Sequence, residues 1–328
     1  MKKRVYSGVR ATGRLHLGNY MGAVKGMLAL QDDDAYECIF SVVDLHAMTT
    51  PYDPKILKTS VENVILDYLA AGLDPEKCLL EIQSAIPQHT ELSYLLSTIY
   101  SLAKLEDLPT FKEKRAQHPE YVNLGLVYYP ILMAADILLY KAELIPVGID
   151  QEPHLEVARE VARKFNQMFG ETFPQPRRFK TPGEYIPSLL GKGKMSKSIE
   201  GSYITLSDTL ETIKKKIAKI PTDSGAIGGK LPSEGGVANL FTLTKLFAGE
   251  EVAISFEREY EQGVIRYGDM KATLCEAVMK ELTPLQEKRA YFEAHPEIVK
   301  AIIDKSTQNC LDRATQTLTE VKQKMGLL

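Results

Sequence analysis

The chain has 328 residues, 44% of them hydrophobic and 25% charged, a globular composition with room for a large domain and a smaller companion. Its formal charge of −3 gives no overall attraction to nucleic acid, so any RNA contact has to come from local basic patches. No apolar run approaches the roughly 20 residues of a membrane helix, and Met1-Lys2-Lys3-Arg4 leads into Val5-Tyr6-Ser7-Gly8 rather than a signal-peptide stretch, so no membrane association and a cytoplasmic location are expected.

Candidate strands fall at Arg4–Val9, Cys38–Leu45, Cys78–Ser84 and Leu144–Gly148. Their nearly continuous apolar character is what a parallel sheet covered on both faces requires. Between them, Val61, Val64, Ile65, Tyr68 and Leu69 recur at helical spacing, with Gly72 as a stop before Asp74-Pro75. Leu92, Leu95, Leu96 and Ile99 form a second helical face, and a third helix starts near Pro153 and runs through Val157, Val161 and Phe165. This alternation predicts an α/β fold, a doubly wound parallel sheet of the Rossmann type, over residues 1–190.

Beyond about Gly191 the strand signals fade. Leu206–Ile220 and Lys271–Ala294 read as helices, with a glycine-rich break at Ser224–Gly236. Residues 191–295 are therefore expected to form a smaller all-helical domain, and 296–328 a C-terminal helix that periodicity alone cannot place. The four cysteines, Cys38, Cys78, Cys275 and Cys310, lie far apart without a CxxC pair. That spacing argues against a zinc knuckle or a disulfide framework, and buried free thiols are expected. No metal-ligating cluster is predicted.

In an open parallel sheet, ligands bind beyond the carboxyl ends of the strands. After the first strand, Gly8 and Gly13 allow tight turning, and His16-Leu17-Gly18-Asn19 opens a helix whose N-terminus can receive an anion. Gly18 lets a base or ribose approach the backbone, although such a segment taken alone is more often a simple turn. The second strand leads into Asp44-Leu45-His46, and the fourth into Val147-Gly148-Ile149-Asp150-Gln151-Glu152-Pro153-His154. Asp150 and Gln151 could serve only as caps for the following helix; polar groups at three strand ends favour a site. Lys194-Met195-Ser196-Lys197-Ser198 carries two lysines beside small hydroxyls, suited to a mobile clamp on phosphate oxygens. The plain alternative is a solvated basic loop. Lys214-Lys215-Lys216 and Lys219 lie on a predicted helix and are either a solvated face or an RNA contact.

His16–Asn19 resembles the HIGH signature of class I aminoacyl-tRNA synthetases, and Lys194–Ser198 matches their KMSKS signature in full. Within that class the chain resembles the tryptophanyl-tRNA synthetases. Tyr129-Pro130-Ile131-Leu132-Met133-Ala134-Ala135-Asp136-Ile137-Leu138-Leu139-Tyr140 matches their substrate helix, and Val147–Glu156 is similar to their GEDQxxHxE motif. Thr222-Asp223-Ser224, Gly236–Leu240 and Met325-Gly326-Leu327 resemble their helical domain and C-terminus, so the likeness spans essentially the whole chain.

The resemblance implies two steps: L-tryptophan attacks the α-phosphorus of ATP with Mg²⁺ assisting, and the adenylate is then transferred to tRNA(Trp). No covalent enzyme intermediate is required, so catalysis is mainly positioning and charge stabilisation. By similarity, Arg10, Ala11, Thr12, Gly18, Asn19, Gly148, Ile149, Asp150, Ile186, Lys194, Met195, Ser196, Lys197 and Ser198 contact ATP. His16 lies near its phosphates and Lys114 joins them. Asp136 accepts the indole N–H, and a site built so rejects side chains lacking that donor. Tyr6, His46, Tyr129, Met133, Val147 and Gln151 complete the pocket by the same alignment.

The family further implies a homodimer, with a dimer-forming insertion near 85–145, and anticodon binding by residues 191–295. Three features depart from the pattern: Ala11 replaces a usual proline, Ile149 replaces the Glu of GEDQ, and the chain has no tryptophan. Two other readings compete, a non-catalytic tryptophan- or RNA-binding regulatory paralogue and a tyrosyl enzyme of the same fold. Lys194 and Lys197 weigh against the first, and the Met133–Asp136 segment against the second.

Overall fold

The computed structural model describes residues 2–180, 185–197, 199–225 and 229–328. Five parallel strands, β1 (Lys3–Arg10), β2 (Tyr36–Val43), β3 (Cys78–Ile82), β4 (Leu144–Pro146) and β5 (Arg177–Phe179), form one sheet in the order β3-β2-β1-β4-β5. Alternate side chains feed two cores. Val5, Phe40, Val42 and Leu80 enter one, while Tyr6 and Ile39 enter the other. Both faces are thus dry, which explains strands without polar alternation. The strand order reverses between β1 and β4, so the crevice in which such sheets bind ligands falls at their carboxyl ends.

β2, β3 and β4 stop earlier than the apolar runs suggest, and at β2 and β3 the reason is local. After β2 the chain turns into a helical segment, Asp44–Ala47. The Asp44 carboxylate accepts from the backbone N–H groups of Leu45 (3.1 Å) and Ser84 (3.0 Å) and from Ser84 Oγ (2.5 Å). It therefore ties the end of β2 to the end of β3, a structural task. β5 was not expected. It is three residues long with two arginines, the short charged edge strand that proteins use to discourage pairing with another chain.

The helix Pro54–Ala71 begins where Asp53 accepts from Lys55 N and ends at Gly72, whose φ of 107° suits glycine. Leu210–Ala218 begins later than its apolar periodicity because Thr209 caps it. Tyr267–Ala294 and Pro296–Lys324 are the two longest helices described. The second lies against β3: Leu80 N–H donates to Ser306 Oγ (3.3 Å), and Cys310, Ala314, Leu318 and Val321 enter the same core as Tyr6 and Ile39.

The other core runs without a break from the sheet into the helical region, joining Leu15 and Leu17 to Met195, Ile204, Ile217 and Leu274. A buried ion pair reinforces it. Arg289 meets one oxygen of Asp67, while the other accepts the Leu15 N–H at 2.7 Å. All four cysteines are buried free thiols. Among the described residues, no helix is long and apolar enough to cross a membrane.

Candidate active site

The first wall of the crevice is the loop after β1. His16 is the N-cap of the helix at Leu17–Asn19: its Nδ1 accepts from Asn19 N–H, and Asn19 Oδ1 accepts from His16 N–H, both at 3.3 Å. Nδ1 therefore carries no proton. Burial, then the charges of Lys197 and Lys194, push the ring down to about 4, so His16 is neutral near pH 7 and donates only through Nε2. Gly18 has a concrete reason to be glycine, because a Cβ there would sit 2.7 Å from the His16 ring and 3.3 Å from Met195 Cβ. Arg10 extends from the end of β1, with one guanidinium nitrogen on Thr50 Oγ1 (3.0 Å) and its Nε buried without a hydrogen-bond partner. An orphan buried donor on a cation is an anion-seeking group.

The lysine loop closes on this wall from above. Met195 is buried, its N–H donates to Ile186 O (2.9 Å), and Pro187 bridges to Lys194. Leu17 N–H donates to Ile204 O (2.9 Å) and Leu206 N–H to Leu15 O (3.0 Å), so the segment that follows is stitched to the His16 helix start. From that anchorage the lysines reach opposite sides of the switch point. Lys197 Nζ contacts Gly13 O (3.1 Å) and Thr12 O (3.3 Å) after β1; Lys194 Nζ pairs with Asp150 (2.9 Å) after β4. Burial pushes Lys197 down to about 8, despite the opposing pull of Asp67. A solvated basic loop does not describe this arrangement. Ser198 lies outside the described residues.

Past β4, Gly148 leads into Ile149–Gln151, and the helix Glu152–Phe169 follows with no side-chain cap from Gln151. Capping is therefore not what Asp150 and Gln151 do. Gln151 donates to Asp150 Oδ2 (3.0 Å) and its Oε1 accepts from His154 Nδ1 (3.2 Å). That bond leaves His154 Nε2 as an acceptor, and it lies 2.7 Å from the Tyr129 hydroxyl, with Thr110 Oγ1 3.0 Å from both. Burial and then the neighbouring His46 push His154 down to about 4, so it is neutral and locks both Tyr129 and Gln151. Ile149 is exposed.

The second wall is the helix Leu124–Leu139. Asp136 is 1% exposed, and its oxygens are touched from three sides. His46 Nε2 donates to Oδ2 (2.8 Å), Gln83 Nε2 donates to both oxygens (2.8 and 3.0 Å), and His89 Nδ1 stands 2.7 Å from Oδ1. Gln83 is itself fixed, its Oε1 accepting from Leu45 N–H (3.1 Å). Burial works to raise the Asp136 carboxyl, but His89 and His46 outweigh it and hold it below the ordinary carboxylate range. Asp136 is ionised. Tyr6 is buried, while Met133 and Val147 are half-buried and pack on the same core.

Most of the expected residues converge on these two walls. Lys114 is bonded to Gln117 (2.8 Å) on its own helix, Pro109–Gln117, and no described contact joins it to the crevice. Within the basic cluster, Lys215 pairs with Glu211 and Lys216 with Asp208. Gln83, His89 and Thr110 went unforeseen, as did the part played by His154. Gln83, His89 and Thr110 act through partners far away in the chain that no local spacing marks, whereas His154 stood in the GEDQxxHxE-like motif three residues after Gln151. Among the described residues, no three His, Cys, Asp or Glu side chains converge to hold a metal.

The profile described as tRNA synthetases class I (W and Y) matches residues 1–283. The chain is 42% identical to a tryptophan–tRNA ligase of Caldanaerobacter subterraneus subsp. tengcongensis over 99% of both chains. It is 40% identical to one of Helicobacter pylori, over 100% of this chain and 99% of the relative. Among solved structures, tryptophanyl-tRNA synthetase from Campylobacter jejuni complexed with ADP and tryptophan superposes with a TM-score of 0.84 at 32% identity, covering 99% and 100% of the two chains. Tyrosyl-tRNA synthetase from Aeropyrum pernix shares the fold at 19% identity, with a TM-score of 0.68 and 96% and 90% of the chains covered.

Proposed function

The chain belongs to the class I tRNA synthetases of the tryptophan and tyrosine group, and from that premise we propose that it is a tryptophan–tRNA ligase that forms tryptophanyl-adenylate from L-tryptophan and ATP and passes it to tRNA(Trp). The observation that carries the choice of amino acid is Asp136, a buried ionised acceptor held by His46, Gln83 and His89. Such a group in a dry pocket selects a ring that offers N–H and penalises one that leaves the carboxylate unmet. Tryptophan–tRNA ligases at about this length and 40–42% identity support the same reading.

ATP lies across the switch point, with its phosphates between the two signature loops. Lys194 and Lys197 exchange their present acceptors for phosphate oxygens, and their charge counts most as the pyrophosphate leaves. Neutral His16 donates through Nε2, and Arg10 offers its unpartnered Nε. Tyr129 and Gln151, locked by His154, orient the amino acid so that its carboxylate faces the α-phosphorus. The described residues do not fit a resident metal site, so Mg²⁺ is taken as part of the Mg·ATP substrate.

The protein is cytoplasmic and a homodimer. Exposed apolar side chains within residues 85–145, among them Leu124 at 85% and Tyr94 at 67%, support the dimer. Residues 191–295 bind the anticodon arm, and the closing helix is assigned to the catalytic domain, a reading supported by its contact with β3.

Amino-acid-dependent ATP–pyrophosphate exchange, run with tryptophan and tyrosine side by side, tests the reading. Exchange with tryptophan, followed by charging of tRNA(Trp), is expected. Exchange with tyrosine alone would overturn the assignment of the amino acid, and exchange with neither would overturn the enzyme.

A further inference from the structure

Beneath the Asp136 wall lies a charge assembly that the two reaction steps do not themselves call for. Glu81, in β3, is fully buried on the sheet face shared with Ile39 and Ile86. Its carboxylate accepts from the Tyr6 hydroxyl (3.4 Å), the Tyr140 hydroxyl and His89 Nε2 (3.0 Å). The other nitrogen of that imidazole is the one 2.7 Å from Asp136 Oδ1, a charge contact without the alignment of a hydrogen bond. On packing grounds alone the position suits an apolar residue, and a carboxylate is tolerated there only because donors surround it.

An imidazole that faces carboxylate oxygens with both nitrogens carries a proton on each and is a cation. Burial opposes that charge, but Glu81 and Asp136 outweigh it and hold His89 up to about 10. The consequence is a matter of charge balance. A lone His89 cation beside Asp136 would form a neutral pair and blunt the carboxylate as an acceptor. With Glu81 on its far side, the His89 proton is shared between two acidic side chains, which leaves Asp136 the better able to attract a donor from the pocket.

We propose that Glu81 is a positioning residue for amino-acid selection: through His89 it fixes the Asp136 carboxylate in the charge state and orientation that meet the ring N–H of the substrate. This rests on the tryptophan reading above. Glu81 touches no substrate. His46 and Gln83 hold Asp136 from the loops after β2 and β3, whereas His89 holds it from the interior, and Glu81 sets what His89 can do.

The test compares tryptophan with 3-(3-benzothienyl)alanine, in which sulfur replaces the ring N–H. In Glu81→Gln, the KM for tryptophan should rise about tenfold while that for ATP stays within about twofold, and the preference for tryptophan over the analogue should shrink about tenfold, the worth of one charge-assisted hydrogen bond. In an Asp136→Asn background the same change should no longer alter the preference. If Glu81→Gln does not give folded protein, Tyr140→Phe removes one donor to Glu81 and is read by the same two ratios, with about a threefold loss expected. A variant that lowers the melting temperature but leaves both ratios within about twofold of the parent overturns the relay. A parent without tryptophan-dependent exchange overturns the functional reading and the relay with it, whereas an active parent with unchanged variants overturns the relay alone.

Discussion

Charge is presented differently on the two walls of the crevice. On the phosphate side, Lys194 pairs with Asp150 through side chains that are 55% and 51% accessible, and Lys197 rests on backbone carbonyls of another loop. On the amino-acid side, Asp136 is shut away from water and held from three directions. On the proposed function, the exposed Lys194–Asp150 pair is weak and gives way to ATP at little cost, and Lys197 leaves only neutral carbonyls. A buried carboxylate held from three sides is not traded; it is already arranged for one kind of further donor. The proposed function accordingly gives rate to the first wall and selection to the second.

The largest expected effect breaks the first wall alone. Lys197→Ala should lower kcat for pyrophosphate exchange by about 10²–10³-fold, the scale seen when one preorganised charge-stabilising donor is lost, with the KM for tryptophan within about twofold. Single-turnover adenylate formation measures this directly. An equal rise in the KM for tryptophan would mean that the walls are not separable.

A smaller effect sharpens the comparison through pH. Lys197 has its charge below about 8 and loses it as pH rises through that value, so kcat/KM for ATP should fall on the alkaline side in the free enzyme. In Lys197→Arg the guanidinium stays charged, and the alkaline limb should disappear from the profile. His16 titrates near 4 and should leave no limb between pH 5 and pH 8. The second wall should give no matching alkaline limb in kcat/KM for tryptophan at saturating ATP.

The parts of this site that were legible in the sequence are those written in contiguous residues. Lys194–Ser198 is a complete short signature and His16–Asn19 a variant of one, and apolar runs placed four of the five strands. β5 was hidden because three residues with two arginines carry no apolar signal. Asp136 stood out only by resemblance, since a lone acid in an apolar helix has no spacing to interpret. Its supports were hidden for a deeper reason. Glu81, Gln83 and His89 sit near one another in the chain, but they gain meaning only when folding brings Asp136, 53 positions beyond Gln83, and His46, 90 positions before Asp136, to the same point. The Asp67–Arg289 pair, 222 positions apart, is the same case on the other wall. Local periodicity reports burial, not which buried charges will meet.

The most direct test of the division between the walls is the pair of Michaelis constants in Asp136→Asn, which keeps the size of the side chain and removes its charge. The KM for tryptophan should rise about a hundredfold while the KM for ATP stays within about threefold of the parent. A comparable rise in both, or an unchanged KM for tryptophan, would contradict the assignment of selection to the buried wall.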